Sequence, residues 1–271
     1  MKTLFVTFGG GEKRYRAAAR RIARQASDTG LFCDTWAVTD LDMYNCAPRL
    51  GEHRPFIERS PHGYGYWLWK PYLLDAACNA GFDHVVYADA GCVLNLSSRT
   101  PRSRLQDYLE LATEHGITLM ALQHPERQYT KRDTWECIGL TDEQLDQPQC
   151  VGGVLTLRAD RAPDLLREWI RWCTTDNYHL LDDSPSASPE LPEFVAHRHD
   201  QTILSCIAKR AELPVIADET YFDGAWDTDG ATKPIWAVRH RWGTSWPIRG
   251  AARRLRYRRE VKEWKRSKTA S

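Results

Sequence analysis

The chain has 271 residues, 42% of them hydrophobic and 27% charged, with a formal net charge of +1. This is an ordinary soluble composition, long enough to bury a large core and most simply one domain. Met1-Lys2-Thr3-Leu4-Phe5-Val6 is too short an apolar run for a signal peptide and no later stretch approaches membrane-spanning length, so a cytosolic protein is expected.

Residues 2–8 read as a first buried strand, followed by Gly9-Gly10-Gly11, which frees the backbone to turn tightly and approach a ligand. A helix over 13–29 follows, with Tyr15, Ala18, Ile22 and Ala26 on one face and Gly30 as its stop, then a strand over 31–38. This is a βαβ opening. Its contiguous glycines do not follow G-x-G-x-x-G and are a weak nucleotide-binding signal.

His62-Gly63-Tyr64-Gly65-Tyr66-Trp67-Leu68-Trp69-Lys70-Pro71 is more distinctive, because Pro71 suits a first helical turn and Tyr72, Leu73, Ala76, Ala77 and Ala80 supply a face before Gly81. Lys70 then stands at a helix N-terminus, where a cation costs a few tenths to about 1 kcal/mol unless an anion sits nearby. Either the helix amides and Lys70 cradle a diphosphate, or Trp67 and Trp69 are core and Lys70 snorkels to water.

The chain is organised around Phe82-Asp83-His84-Val85-Val86-Tyr87-Ala88-Asp89-Ala90-Gly91-Cys92. Its centre lacks polar alternation, as in a strand buried on both faces, so Asp89 falls at the carboxyl edge where open α/β sheets bind ligands. Asp89 either satisfies turn amides or holds a divalent cation beside a phosphate.

A helix over 105–115 and a strand over 117–123 come next, then a polar, irregular stretch over 124–148 with room for a short helix. Residues 149–157 read as a strand interrupted by Gly152-Gly153, which marks a bulge or a close approach to a ligand. An amphipathic helix over 161–174 leads to a proline- and serine-rich loop over 182–192, of the kind that forms a lid or a link.

The loop delivers His197-Arg198-His199-Asp200-Gln201 to a helix with Ile203, Leu204, Ile207, Ala208 and Ala211 on one face, so Asp200 is either its N-cap or part of a polar site. A short strand over 213–218 precedes a second candidate over 233–242. Trp236, Val238 and His240 fall on one face of that candidate, with Arg239 and Arg241 on the other. His240 reads as structural unless Asp89 binds metal.

Residues 249–271 carry ten Lys/Arg against Glu260 and Glu263, about +8, with Tyr257, Val261 and Trp264 at helical spacing. This tail reads as a docked basic helix, or as a contact for an anionic membrane surface or nucleic acid. Eight cysteines without a CxxC pair read as reduced, mostly buried thiols, not as disulfides or a zinc site, with a thiol nucleophile left open.

Together, Gly63-Tyr64-Gly65-Tyr66-Trp67-Leu68-Trp69-Lys70-Pro71, Tyr87-Ala88-Asp89-Ala90-Gly91-Cys92, Gly152-Gly153 and His197-Arg198-His199-Asp200-Gln201 resemble a family of bacterial and viral glycosyltransferases with the GT-A fold, over most of residues 1–242. The resemblance implies a catalytic α/β domain over 1–248, with a Rossmann-like, mixed, mainly parallel sheet flanked by helices, and the basic helical tail 249–271 beyond it. It implies transfer of a sugar from a nucleotide-diphospho-sugar, UDP-sugar favoured, to a glycan, lipid-linked sugar or nucleic-acid base, assisted by Mn²⁺ or Mg²⁺.

On that resemblance Thr7, Phe8, Gly9 and Gly10 lie near the nucleoside, Trp69 and Lys70 near the diphosphate, and Gly152 and Gly153 against the sugar. Arg198 and Gln201 contact the donor, and Asp200 is catalytic beside donor sugar and acceptor. Asp89 matches the first acid of the DxD metal motif and counts as catalytic and metal-binding; His240 falls where relatives place a late metal-binding histidine. Gly91 replaces the second acid. Either Asp89 holds the metal with phosphates, waters and His240, or Lys70 and arginines alone stabilise the leaving group. A nucleotidyltransferase would carry a basic glycine-rich signature that Gly9-Gly10-Gly11-Glu12 matches only in part. Eleven tryptophans and the basic tail also suit a non-catalytic carbohydrate- or nucleic-acid-binding protein.

Overall fold

Strand β1 (Thr3–Phe8) is buried at every position and leads through α1 (Lys13–Asp28) to β2 (Asp34–Val38), which pairs with β1 in parallel. β2 is shorter than the 31–38 run because Leu31 stays exposed and the ladder opens at Leu4 opposite Asp34. This computed structural model describes residues 1–241, so the basic helix expected over 249–271 lies outside the described residues.

Short helices α2 (Met43–Cys46), α3 (Arg54–Arg59) and α4 (Gly63–Tyr66) lead into α5 (Trp69–Cys78). Strand β3 (His84–Ala88) returns to the sheet beside β1, again parallel and fully buried. β4 (Val93–Leu94), α6 (Arg99–His115) and β5 (Ile117–Pro125) follow, and the irregular stretch after them holds α7 (Arg132–Ile138) and α8 (Asp142–Asp146). Thr141 and Gln144 form a capping box at the start of α8, satisfying two amides that the helix itself leaves unpaired.

The strand expected over 149–157 is two strands, β6 (Pro148–Cys150) and β7 (Val154–Arg158), with the glycine pair in the bend between them. Helices α9 (Pro163–Thr174) and α10 (His199–Arg210), then β8 (Val215–Ala217) and β9 (Ile235–Trp236), complete the described chain. Among the described residues of the 233–242 run, which end at 241, only Ile235–Trp236 joins a ladder, with β4. The burial alternation survives without one, since Trp236, Val238 and His240 are buried and Arg239 is exposed.

The sheet runs β2-β1-β3-β7-β5-β6, with β8 also on β5. β2, β1, β3, β5 and β8 share one direction, while β7 and β6 oppose them. The chain therefore has the expected α/β architecture, a mixed and mainly parallel sheet flanked by helices. Leu4, Val6, Val85 and Tyr87 pack with α5, α9 and α10, whereas Phe5, Val86 and Ala88 pack with α1 and α6. Both faces are covered, which is why β1 and β3 show no polar alternation.

All eight cysteines are free; Cys78, Cys92, Cys150, Cys173 and Cys206 are buried, Cys33 and Cys137 exposed. Among the described residues no helix is long and apolar enough to cross a membrane.

Candidate functional site

β3 ends at Ala88 and its exit is built by backbone bonds: Asp89 N donates to Gly153 O (2.8 Å) and Cys92 N to Asp89 O (2.8 Å). Tyr87, on the same side of the strand two residues earlier, donates its hydroxyl to Asp89 Oδ1 (2.5 Å). Burial, then the adjacent Asp89, pushes the Tyr87 phenol well above its ordinary pKa, so it remains a donor. The period of two in a strand was the signal available for Tyr87, which the motif reading passed over.

The glycine pair explains itself at this edge. A Cβ on Gly153 would stand 2.8 Å from Asp89 Oδ2, and one on Gly152 would stand 2.9 Å from Gln201 Cβ. Only a bare backbone lets Asp89 and Gln201 close over the bend. Gln201 Oε1 accepts from Gly152 N (3.1 Å), while Gly152 O accepts from Lys70 Nζ (3.1 Å).

Lys70 and Asp200 are each second in their helices, α5 and α10, and each is 3% exposed. Their charged atoms meet at 2.7 Å. The anion that a lysine at a helix N-terminus calls for is thus the protein's own carboxylate. Asp200 is not the N-cap; Arg198 occupies that position without a side-chain capping bond. Burial pushes the Asp200 pKa up to about 6, with Lys70 pulling it down and Asp89 adding to the rise. Burial would lower the Lys70 pKa, but Asp200 and Asp89 outweigh it and hold it above its ordinary value.

The segments leading into this pair are strained. Tyr64, Tyr66, Trp67 and His199 all have positive φ, between 51° and 63°. The Tyr66 and Trp67 rings lie 4.8 and 5.6 Å from the His199 ring, so the two strained entries brace each other. Such conformations persist where surrounding packing over-determines them.

Arg198 and Gln201 share a partner that the sequence did not reveal. Gln149 Oε1 accepts from Gln201 Nε2 (2.8 Å) and from Arg198 Nη1 (3.2 Å). The Arg198 guanidinium also lies 3.4 Å over the Tyr129 ring, and burial lowers its pKa.

Trp69 reaches the cluster, with its ring 6.4 Å from that of Tyr87 and 5.9 Å from Lys70 Nζ, whereas Thr7, Phe8, Gly9 and Gly10 lie at the end of β1 and in the turn after it. The Phe8 ring stacks on Trp69 at 3.9 Å, and both are buried. Trp69 Nε1 donates to Gly63 O (2.9 Å). A Cβ on Gly9 would collide with Tyr15 O at 2.2 Å, so this glycine lets α1 start against the strand end. Gly10 is pressed by the Phe8 and Tyr64 rings. Thr7 is buried, and its hydroxyl has no hydrogen-bond partner.

The residues do not fit the two-acid metal cage of the DxD pattern. A Cβ on Gly91 would meet Arg239 Cα at 3.3 Å, tighter than ordinary contact. His240 is buried, with its N donating to Gly91 O (2.7 Å). Among the described residues no three His, Cys, Asp or Glu side chains gather in one place, so any divalent cation at Asp89 would take most of its ligands from phosphates and waters. Asp89 brings one carboxylate, with one oxygen engaged by Tyr87. Chemically, the cluster offers a buried carboxylate able to exchange a proton near neutral pH, a fixed ammonium, a second carboxylate and a side-chain-free surface between them.

No protein-family model matches the chain, and neither does any curated protein sequence. Among solved structures it is similar to the apo form of mouse xyloside xylosyltransferase 1, with a TM-score of 0.47 and 11% identity over 88% of this chain and 97% of that one. It is similar to the apo WbbM bifunctional glycosyltransferase, with a TM-score of 0.46 and 12% identity over 96% of this chain and 44% of that one. A glycosyltransferase involved in glycosylation of the major capsid of PBCV-1 aligns with a TM-score of 0.39 and 9% identity over 97% and 100% of the two chains. These are distant likenesses.

Proposed function

We propose that the chain is a glycosyltransferase of the GT-A kind, moving a sugar from a nucleotide-diphospho-sugar such as a UDP-sugar onto an acceptor hydroxyl. One observation carries this: Asp89 and the buried Lys70–Asp200 pair converge on the bare Gly152-Gly153 backbone at the carboxyl edge of β3. That edge is where open α/β sheets bind ligands, and the glycine pair leaves a surface that a sugar ring can approach.

In the proposed reaction the bond from the anomeric carbon to the diphosphate oxygen breaks, and its electron pair leaves on the diphosphate. A lone pair of the acceptor oxygen forms the new bond to that carbon. The acceptor's proton passes to the Asp200 carboxylate, whose pKa of about 6 makes it ionised yet basic at neutral pH. Lys70 is a positioning residue that keeps Asp200 ionised and tied to the glycine bend. Asp89, oriented by Tyr87, accepts hydrogen bonds from the donor sugar. Thr7, Phe8, Gly9 and Gly10 flank the nucleoside, supported from below by the Phe8–Trp69 stack.

The test is a panel of nucleotide-diphospho-sugars, followed by release of nucleoside diphosphate, with the native chain and Asp200→Asn. Turnover of one donor, reduced about 10²- to 10⁴-fold in the variant, is the expected result. A native chain that neither binds nor turns over any donor would overturn the proposal.

A further inference from the structure

We infer that Gln149 is a positioning residue for transfer: its buried amide fixes which way the Gln201 amide faces, holds the Arg198 guanidinium, and through Gln201 sets the glycine bend. The inference rests on the glycosyl-transfer reading, with Arg198 and Gln201 contacting the donor as the resemblance implies. It adds a residue that has no exposed surface of its own.

An amide side chain fits its site either way round, so its neighbours must choose. Gln149 lies in β6 between Glu126 on one side and Arg198 with Gln201 on the other. A carboxylate paired with a lysine only accepts. Glu126 Oε2 takes Lys209 Nζ (2.6 Å) and the Ser205 hydroxyl, and Oε1 takes Thr130 Oγ1 (2.5 Å), so Gln149 turns Nε2 toward Oε1 at 2.8 Å. Thr202 Oγ1 (3.3 Å) and Tyr129 O (3.4 Å) accept from the same nitrogen.

Gln149 Oε1 then faces the site. Two donors meet it, Gln201 Nε2 (2.8 Å) and Arg198 Nη1 (3.2 Å). With its nitrogen committed to Gln149, Gln201 presents Oε1 to Gly152 N (3.1 Å), and a flipped Gln201 would set donor against donor there. Its second N–H has no partner among the described residues and is left for the donor sugar. Lys70 holds the following peptide through Gly152 O (3.1 Å). The direction of every bond on this path follows from the Lys209–Glu126 pair, and Lys209 stands about 12 Å along α10 from Gln201. A mismatch at any buried step leaves two like groups facing each other without water.

Three variants of the full chain test this, with urea melts to confirm that rates are compared on folded protein. Gln149→Leu keeps the volume and removes the bonds, and Gln149→Glu sets a second carboxylate against Glu126. The third exchanges the two, Glu126→Gln with Gln149→Glu. There the amide nitrogen at 126 donates to the carboxylate at 149, its oxygen still accepts from Lys209, and the carboxylate accepts from Gln201 and Arg198. Each single change at 149 is expected to raise the donor KM about ten- to hundred-fold and to lower kcat less, and the exchange to return KM to within about three-fold of native. Should Gln149→Leu fail to fold, Gln149→Glu and the exchange carry the test. A donor KM unchanged in folded Gln149→Leu overturns the inference, as does a folded exchange variant that keeps the raised KM. Side-chain amide NMR needs no donor: the Gln201 NH₂ signals should be dispersed in native protein and move to free-amide positions in Gln149→Leu. If they do so while native protein turns over no donor, the hold on Gln201 stands and the donor reading alone falls.

Discussion

Two lysine–carboxylate pairs with both side chains buried stand among the described residues, Lys70–Asp200 and Lys209–Glu126. Lys209 Nζ uses all three of its donors, on Glu126 Oε2 (2.6 Å), Pro148 O (2.8 Å) and Ser205 Oγ (2.9 Å). Glu126 also accepts from Thr130 Oγ1 (2.5 Å), Gln149 Nε2 (2.8 Å) and the Ser205 hydroxyl. Lys70 meets Asp200 and Gly152 O, and Asp200 Oδ2 touches it without a well-aligned hydrogen bond. Burial alone therefore does not mark a site. The saturated pair is scaffold, and through Gln149 it supports Arg198 and Gln201; the undersaturated pair keeps capacity for a further partner.

The strongest way to break this contrast is to neutralise one acid of each pair. Asp200→Asn is expected to lower turnover about 10²- to 10⁴-fold, and to lower the urea midpoint as well, because it leaves buried Lys70 with only the more distant charge of Asp89. Glu126→Gln leaves Lys209 buried without a counter-ion, which costs about 3–5 kcal/mol in stability, with turnover below the unfolding range near native. Turnover and urea melts on both variants decide the matter, and equal effects on both observables would erase the distinction.

The pH profile sharpens it. Transfer that needs ionised Asp200 should rise with pH through about 6 and level above it. Lys70 lowers the Asp200 pKa, so Lys70→Met should move that limb to higher pH, and Glu126→Gln should leave it in place. Stability runs the other way. The native carboxyl holds its proton more tightly than the unfolded one, whose ordinary pKa is 3.8, so this contribution is full below that value and is lost as pH rises through about 6. Rate profiles and urea melts across this range check both signs.

The smallest expected effect compares two glycines. Gly153→Ala places a methyl 2.8 Å from Asp89 Oδ2, and a carboxylate held by Tyr87 at its other oxygen should shift, lowering turnover about ten-fold. Gly51→Ala meets nothing within 4 Å and lies outside the positive-φ set, so it should stabilise by about 0.4–1 kcal/mol without touching turnover. Kinetics and thermal melts on the pair test whether the bend glycines serve the site or merely the turn.

Local chemistry made much of this legible. The doubly buried strands β1 and β3 followed from runs without polar alternation, and α1, α9 and α10 from helical spacing. Lys70, Asp89, the glycine pair and Asp200 were each visible as residues that suit their local element poorly or leave it open, whereas Gln201 entered only through the family resemblance. Boundaries were less legible where partners decide them: residues 149–157 divide because β6 pairs with β5 alone, whereas β7 pairs with both β3 and β5.

The sequence by itself determined the elements, and with them the sheet edge at which Asp89 stands, because periodicity and backbone preference act within a few residues. Only the tertiary structure decided that the anion facing Lys70 is Asp200, that Gly153 yields to Asp89, and that the Arg239 backbone covers Gly91. Those pairings join residues far apart in the chain. Charge and contact act across space, so each is settled by which helix end or strand end the packed sheet brings alongside.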